Sequence, residues 1–528
     1  PTGKFIMIRK VLFLFGLLFC TAAQAEWREA TSANFIVYSE GSEQAARDFA
    51  AKLEKFNYVL RHYHNVREPA QVPRFRVFLL ENIDAVQRMA DQGGIGGYYI
   101  PDARALMFVG TRNAAAHREI SPEAILFHEY VHHFMFQYFP ATYPVWYSEG
   151  YAELWGSIQF LENDVVEVGG SQEMRFRSFV LGRWVPMAQL LTAHSYADIP
   201  ETDLLYSEGW LLNRYIFEHP ERRTQLQAYL RAINAGMSYR DAMNQNFGQN
   251  AGSLNNELFE YAGRVQHNVV RLPFRAINVG EITVRTLSPP EQALIEQEIK
   301  ISQGVLQPDI AARAATIRSI AARFPNDPFA LALVAEAEQL AGNNAAAMAA
   351  IDHLLQIQPD NARALMRKGR LEVARLAAAH STDAAAWTAA RRYLLRAMQA
   401  GPRDPLTHEA YFDSFTAQGV LPPDDAQNAL YDAHELAPSD SELNYKLALD
   451  FEHRGLIREA LAIIRPDAYR IRERRGESEG QRRERERREE RFRQAGTVRH
   501  ETAREMMARL EARLAGTPAP AAAAPPRS

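Results

Sequence analysis

Ser121-Pro122-Glu123-Ala124-Ile125-Leu126-Phe127-His128-Glu129-Tyr130-Val131-His132-His133-Phe134-Met135 is the stretch on which the reading of this 528-residue chain turns. Serine followed by proline starts a helix: the hydroxyl caps the first turn, and the proline's missing N–H costs nothing there. Within such a helix His128 and His132 lie one turn apart on one face, so both imidazoles can reach a single ion. Glu129 stands beside them and can point at a water held by that ion. Two neutral imidazoles, a carboxylate and a free position suit zinc. Zinc acidifies its water, and a nearby carboxylate can take the proton. A bare His-Glu-x-x-His match arises by chance in on the order of one chain in thirty, so its surroundings must support it. They do: Ile125, Leu126, Val131, Phe134 and Met135 predict a largely buried helix, and buried imidazoles and carboxylates need partners. His133 points about 100° away from His132, which predicts a packing or surface position.

Downstream comes Trp146-Tyr147-Ser148-Glu149-Gly150-Tyr151-Ala152-Glu153. A helix with this Trp-x-x-Glu-Gly-x-Ala-Glu pattern, following His-Glu-x-x-His, resembles the gluzincin metallopeptidases. These include the aminopeptidase branch and the bacterial families described as peptidase MA-like. The resemblance covers roughly 27–265. It implies a zinc metallopeptidase with Glu149 as third zinc ligand beside His128 and His132. It also implies that Glu153, one turn on, orients the ligands from behind, and that Ser148 caps the second helix. No glycine-rich exopeptidase motif precedes the first helix, so amino-terminal specificity is not inherited. Gluzincins often place a Tyr or His from a later helix against the oxyanion. Here Tyr206, in Leu204-Leu205-Tyr206-Ser207-Glu208-Gly209-Trp210, is the candidate at a predicted helix start, with Tyr215 behind it. The resemblance also implies that the strand before the active-site helix, Ala105 to Val109, is an edge that binds substrate backbone.

Around these motifs the chain alternates strand and helix patterns. Phe35-Ile36-Val37-Tyr38, 75–80 and 105–109 predict strands, and Ser42 to His64 predicts an amphipathic helix with Ala46, Phe49, Leu53, Phe56 and Leu60 on one face. Gly93-Gly94-Ile95-Gly96-Gly97 precedes a strand rather than a helix and lacks the Gly-x-Gly-x-x-Gly spacing, so it is a turn and not a phosphate loop. From Pro122 to about Val265 the pattern is mainly helical. The expected fold is an α+β thermolysin/gluzincin-like catalytic domain over 26–265, then a connector over 266–290 with a possible strand at Ile282-Thr283-Val284-Arg285.

An all-α tetratricopeptide-like helical-repeat domain is expected over 291–468. Phe324-Pro325-Asn326-Asp327, Gln358-Pro359-Asp360-Asn361, Gly401-Pro402-Arg403-Asp404 and Ala437-Pro438-Ser439-Asp440 each end one helix and start another, with prolines 34, 43 and 36 residues apart. A 34-residue helix-turn-helix period is the tetratricopeptide spacing, and an insertion near Ala377 to Asp383 absorbs the longer interval. Such pairs stack because one pair cannot bury its apolar face alone. A charged helix is expected over 469–515, since its mixed Arg and Glu favour i,i+4 pairing over nucleic-acid binding. An Ala/Pro-rich tail over 516–528 is expected to be disordered.

The formal net charge of −4 gives no reason to invoke nucleic acid. Met7-Ile8-Arg9-Lys10, the apolar run from Val11 to Cys20, and Ala23-Gln24-Ala25 predict a secretory signal over 1–25 with the start at Met7, too short to be a permanent membrane span. The processed protein would be periplasmic or secreted. Cys20 is the one cysteine, so the mature chain would bind a metal through His, Asp or Glu alone. The residues thus point to zinc-dependent hydrolysis of a peptide or protein substrate, with a protein partner on the repeats. The rival expectation is a repeat-based adaptor whose zinc site is non-catalytic or gated.

Overall fold

The computed structural model describes residues 26–67, 72–91, 93, 95–113, 121–170, 182–199, 201–265, 269–274, 277–304, 309–469 and 501–516. The expected signal segment, most of the Arg/Glu run and the Ala/Pro tail lie outside the described residues.

The first element group is a six-stranded mixed sheet. In chain order its strands are β1 (Trp27–Thr31), β2 (Phe35–Glu40), β3 (Phe75–Leu80), β4 (Gly97–Ile100), β5 (Met107–Thr111) and the late strand Thr283–Thr286, and their spatial order is β4-β5-β3-β2-β1 and then the late strand. β2, β3 and β5 run parallel, and β4 pairs antiparallel to β5 as one edge. Side chains alternate between the two faces. Phe35, Val37, Phe75, Val77 and Leu79 join one core with Ala46, Ala50, Leu53, Phe56 and Leu60 of α1 (Glu43–Tyr63). Phe78, Leu80, Met107 and Val109 join a second core with Val86 and Met89 of α2 (Ile83–Ala90).

Two expectations change here. The strand before the helix of His128 and His132, read as 105–109, is β5 over 107–111, and it lies inside the sheet between β4 and β3. The edge on that side is β4, and the other edge is the late strand. The segment read as a connector supplies the late strand, which pairs with β1, so the sheet is closed by residues past position 280. The helix after it, Pro289–Ser302, puts Ile295 and Ile299 into the second core of the sheet. The six-stranded sheet and the repeat array are thus joined by packing of this helix.

The helical half of the first domain begins with α3 (Pro122–Tyr138) and α4 (Val145–Gly156). A small three-stranded sheet follows, whose strands are β6 (Gln159–Phe160), β7 (Val165–Val168) and β8 (Val270–Pro273); the late strand is therefore β9. Between β7 and β8 lie α5 (Met187–Leu191), α6 (Thr202–Glu218), α7 (Pro220–Asn234), α8 (Tyr239–Phe247) and α9 (Gly252–Val265). No described helix is long and apolar enough to cross a membrane.

Beyond α10 (Pro289–Ser302) and α11 (Asp309–Ala321) come antiparallel helix pairs: α12 (Pro328–Leu340) with α13 (Asn344–Ile357), α14 (Ala362–Ala378) with α15 (Ala384–Ala400), α16 (Pro405–Thr416) with α17 (Asp424–Leu436), and α18 (Ser441–His453) with α19 (Ile457–Tyr469). A last helix, α20 (Ala503–Leu514), packs on α19. The proline tetrads sit where expected. Their last residues, Asp327, Asn361, Asp404 and Asp440, are the N-caps of α12, α14, α16 and α18, each accepting from a backbone amide of the next turn. The long interval is taken up by lengthening α14 and α15 to 17 residues each.

The array returns to the first domain just past the edge strand. Asp440 Oδ2 accepts from the Ala103 amide at 2.8 Å, Ser439 Oγ donates to the Pro101 carbonyl at 3.3 Å, and Arg104 pairs with Glu442 at 3.2 Å. Further along, Arg465 of α19 donates to the Asn234 carbonyl at 2.6 Å.

Candidate metal centre

The site is made by two helices crossing under the sheet. Ser121 caps α3 as its sequence predicts, Oγ accepting from Ala124 N at 3.1 Å, with Pro122 in the first turn. Both imidazoles then project from one face. His128 Nε2 and His132 Nε2 lie 3.2 Å apart. Glu149 of α4 brings Oε2 to 3.2 Å from His128 Nε2 and 3.5 Å from His132 Nε2. Among the described residues this is the one cluster of three such ligating side chains.

The other ring nitrogens are also engaged. His128 Nδ1 lies 3.2 Å from Glu153 Oε1, and His132 Nδ1 lies 3.2 Å from Ser148 Oγ. Groups behind an imidazole fix its rotation and its tautomer. Glu153 thus lies against the far nitrogen of His128, one turn after Glu149. Ser148 does not cap α4: Pro144 is the N-cap without a side-chain bond, and Ser148 sits inside the first turn, facing His132. Burial pulls His128 toward the neutral form, but its bonds to Glu149 and Glu153 outweigh this and raise it to about 10. Burial favours a neutral Glu149, yet His132 and His128 hold its carboxyl well below the usual carboxylate range.

The donor set fits zinc. Ligand atoms about 2.0–2.2 Å from a tetrahedral zinc stand roughly 3.3–3.5 Å from one another. The three separations measured between Nε2, Nε2 and Oε2 are 3.2, 3.2 and 3.5 Å. His128, His132 and Glu149 would hold the ion, and three protein ligands leave a position for water or substrate.

Glu129 is half-buried and makes no hydrogen bond or ion pair with the described residues. His133 is a packing residue, as expected: Nδ1 lies 3.1 Å from the Tyr99 hydroxyl, and burial lowers its pKa to about 3. Tyr206 lies in the second turn of α6 rather than at its start, with its ring 6.0 Å from that of His128. Tyr215 donates to Glu257 at 2.8 Å, away from the cluster, so it is not a second candidate for the oxyanion role.

Two residues of the site region were not anticipated. Tyr196, in a short turn before α6, donates its hydroxyl to Glu149 Oε1. Glu208 belongs to Tyr206-Ser207-Glu208-Gly209, which repeats Tyr147-Ser148-Glu149-Gly150. That repetition was the available signal. The two copies meet at their glycines. A methyl group on Gly150 would lie 2.1 Å from the Gly209 backbone, so only glycine permits this crossing.

Glu208 points the other way from Glu149, into the core. Oε1 accepts from Val185 N at 2.5 Å, while Oε2 is buried without a partner among the described residues. Burial, opposed by the Val185 bond, raises its pKa to about 8. A carboxyl raised in the folded state keeps its proton there after the unfolded chain has lost it. It therefore costs nothing below about pH 4 and costs progressively more up to about pH 8. Glu208→Gln mimics the neutral form. It should raise stability by about 3 kcal/mol at pH 7, more at pH 9, and by nothing at pH 4. Thermal or urea unfolding at the three pH values checks this; an equal gain at all three contradicts it.

No protein-family model and no curated protein matches the chain. Solved structures do match. A thermophilic TPR protein of Thermus thermophilus is 20% identical at a TM-score of 0.29, covering 33% of this chain and 88% of that one. The MamA RS-1 ArsTM double mutant is 16% identical at a TM-score of 0.25, covering 34% of this chain and 91% of that one.

Proposed function

We propose that this chain is a zinc-dependent peptidase of gluzincin type, acting outside the cytoplasm, with its helical repeats serving a protein substrate or partner. The observation that carries the reading is the triangle of His128 Nε2, His132 Nε2 and Glu149 Oε2, whose edges match those of a tetrahedral zinc site while Glu153 and Ser148 fix both rings from behind.

The bound ion would supply Lewis-acid polarisation of the substrate carbonyl and acidify the attacking water. The chain's residues do the rest. Glu129, adjacent to the ligand His128 and otherwise unengaged, accepts the proton of the water as its oxygen adds to the carbonyl carbon. It then gives that proton to the nitrogen as the C–N bond breaks, leaving a carboxylic acid and an amine, between which the water's second proton then passes. Tyr206, whose ring is 6.0 Å from that of His128, is the candidate donor to the carbonyl oxygen as negative charge grows there. Among the described residues β4 pairs on one side alone, which leaves an edge on which an extended peptide can add as a further strand. The repeats meet the first domain directly after that strand, through Ser439 and Asp440, which suits a role in admitting or aligning a substrate.

Cleavage of a peptide library by the purified chain tests the reading. A strong chelator should abolish hydrolysis and stoichiometric zinc should restore it. Zinc binding without cleavage of any peptide would favour the adaptor role of the repeats.

A further inference from the structure

We infer that Tyr196 is a positioning residue that sets how Glu149 presents itself to a metal ion, an inference that rests on the metal-site reading above. The two oxygens of the Glu149 carboxylate have separate partners. Oε1 accepts the Tyr196 hydroxyl, and Oε2 faces the two imidazole nitrogens at 3.2 and 3.5 Å. A carboxylate at a divalent site can bind through one oxygen or both, and a donor held against one oxygen selects the one-oxygen mode. That mode keeps a coordination position open for water or substrate. The Glu149 side chain is buried, so water does not readily substitute for the phenol.

The turn carrying Tyr196 is built to hold it still. Asp198 Oδ2 accepts from the His194 and Ser195 amides, each at 2.8 Å, and closes a capping box with Ser195. Gln189 Nε2 donates to the Asp198 carbonyl at 2.9 Å. The ring of His194 lies 3.9 Å from that of Tyr239 and 5.9 Å from that of Tyr469 at the end of α19. The last helix pair of the array thus braces the turn that orients the ligand. Partners of a ligand's second atom commonly set affinity and geometry in this way.

Tyr196→Phe removes the hydroxyl and keeps the ring. We would compare wild type and variant by zinc Kd, from competition with a chromophoric chelator, and by the visible spectrum of the cobalt(II)-loaded protein, with the unfolding midpoint of the metal-free chains as control. The expected result is zinc binding weakened on the order of 10- to 100-fold, a cobalt spectrum of lower intensity as Glu149 moves toward two-oxygen binding, and a midpoint only slightly lowered by the bond lost to a buried oxygen. Asp198→Ala, which loosens the turn without touching the site, should give a smaller loss of the same kind and serves if Tyr196→Phe folds poorly. A variant that binds zinc as tightly as wild type with the same cobalt spectrum overturns this inference alone. A wild type that binds neither ion overturns the metal-site reading, and this inference with it.

Discussion

Glu129→Gln should leave zinc bound and cut peptide hydrolysis by on the order of a thousandfold. The substitution is close to isosteric but removes the lone pair that takes the water's proton, and a positioned general base contributes roughly 10²–10⁴ in rate. Little else changes. Glu129 is not one of the three clustered ligands and holds no described side chain in place. Initial rates on a cleaved peptide, with metal content measured on the same samples, separate the outcomes. Full activity, or loss of the metal, contradicts the assigned role.

Gly150→Ala should be the most damaging small substitution in the first domain, costing at least about 3 kcal/mol of stability. The added methyl would meet the carbonyl carbon and oxygen of Gly209 at 2.1 Å, and backbone inside a helix cannot step aside as a flexible side chain can. The only relief is to part α4 from α6. Glu149 precedes the glycine and Tyr206 stands three residues before its partner, so parting the helices also pulls the ligand and the tyrosine from the ion. Thermal unfolding and zinc affinity should therefore fall together. Gly209→Ala, whose methyl would lie 2.7 Å from the Trp146 carbonyl, should be less severe. A Gly150→Ala protein with wild-type stability would contradict the packing described.

The parts legible in the sequence were those governed by local rules. Ser121 and Pro122 starting α3, the i,i+4 histidines, and the Asp or Asn at the end of each proline tetrad all depend on groups within a few residues of one another. Glu149 and Glu153 were legible through a motif, and the structure brings both to the imidazoles. What escaped depended on distant pairing. The sheet order decides which strand is an edge, and nothing in Ala105 to Val109 tells that β4 folds back outside it. Residues 282–285 read as a possible strand in a connector; the strand runs over 283–286, and its partner is β1, more than 250 residues away. Ser148 looked like a cap because serine often is one, whereas tertiary contact gave it to His132. Tyr196 carries no motif, and its bond to Glu149 spans 47 residues.

Metal analysis of the purified wild-type chain beside His132→Ala decides whether the two helices hold an ion. About one zinc per wild-type chain is expected, and little or none in the variant, because a site with three protein ligands cannot spare one. A wild-type chain that takes up no zinc, or a variant that keeps it, would contradict the account.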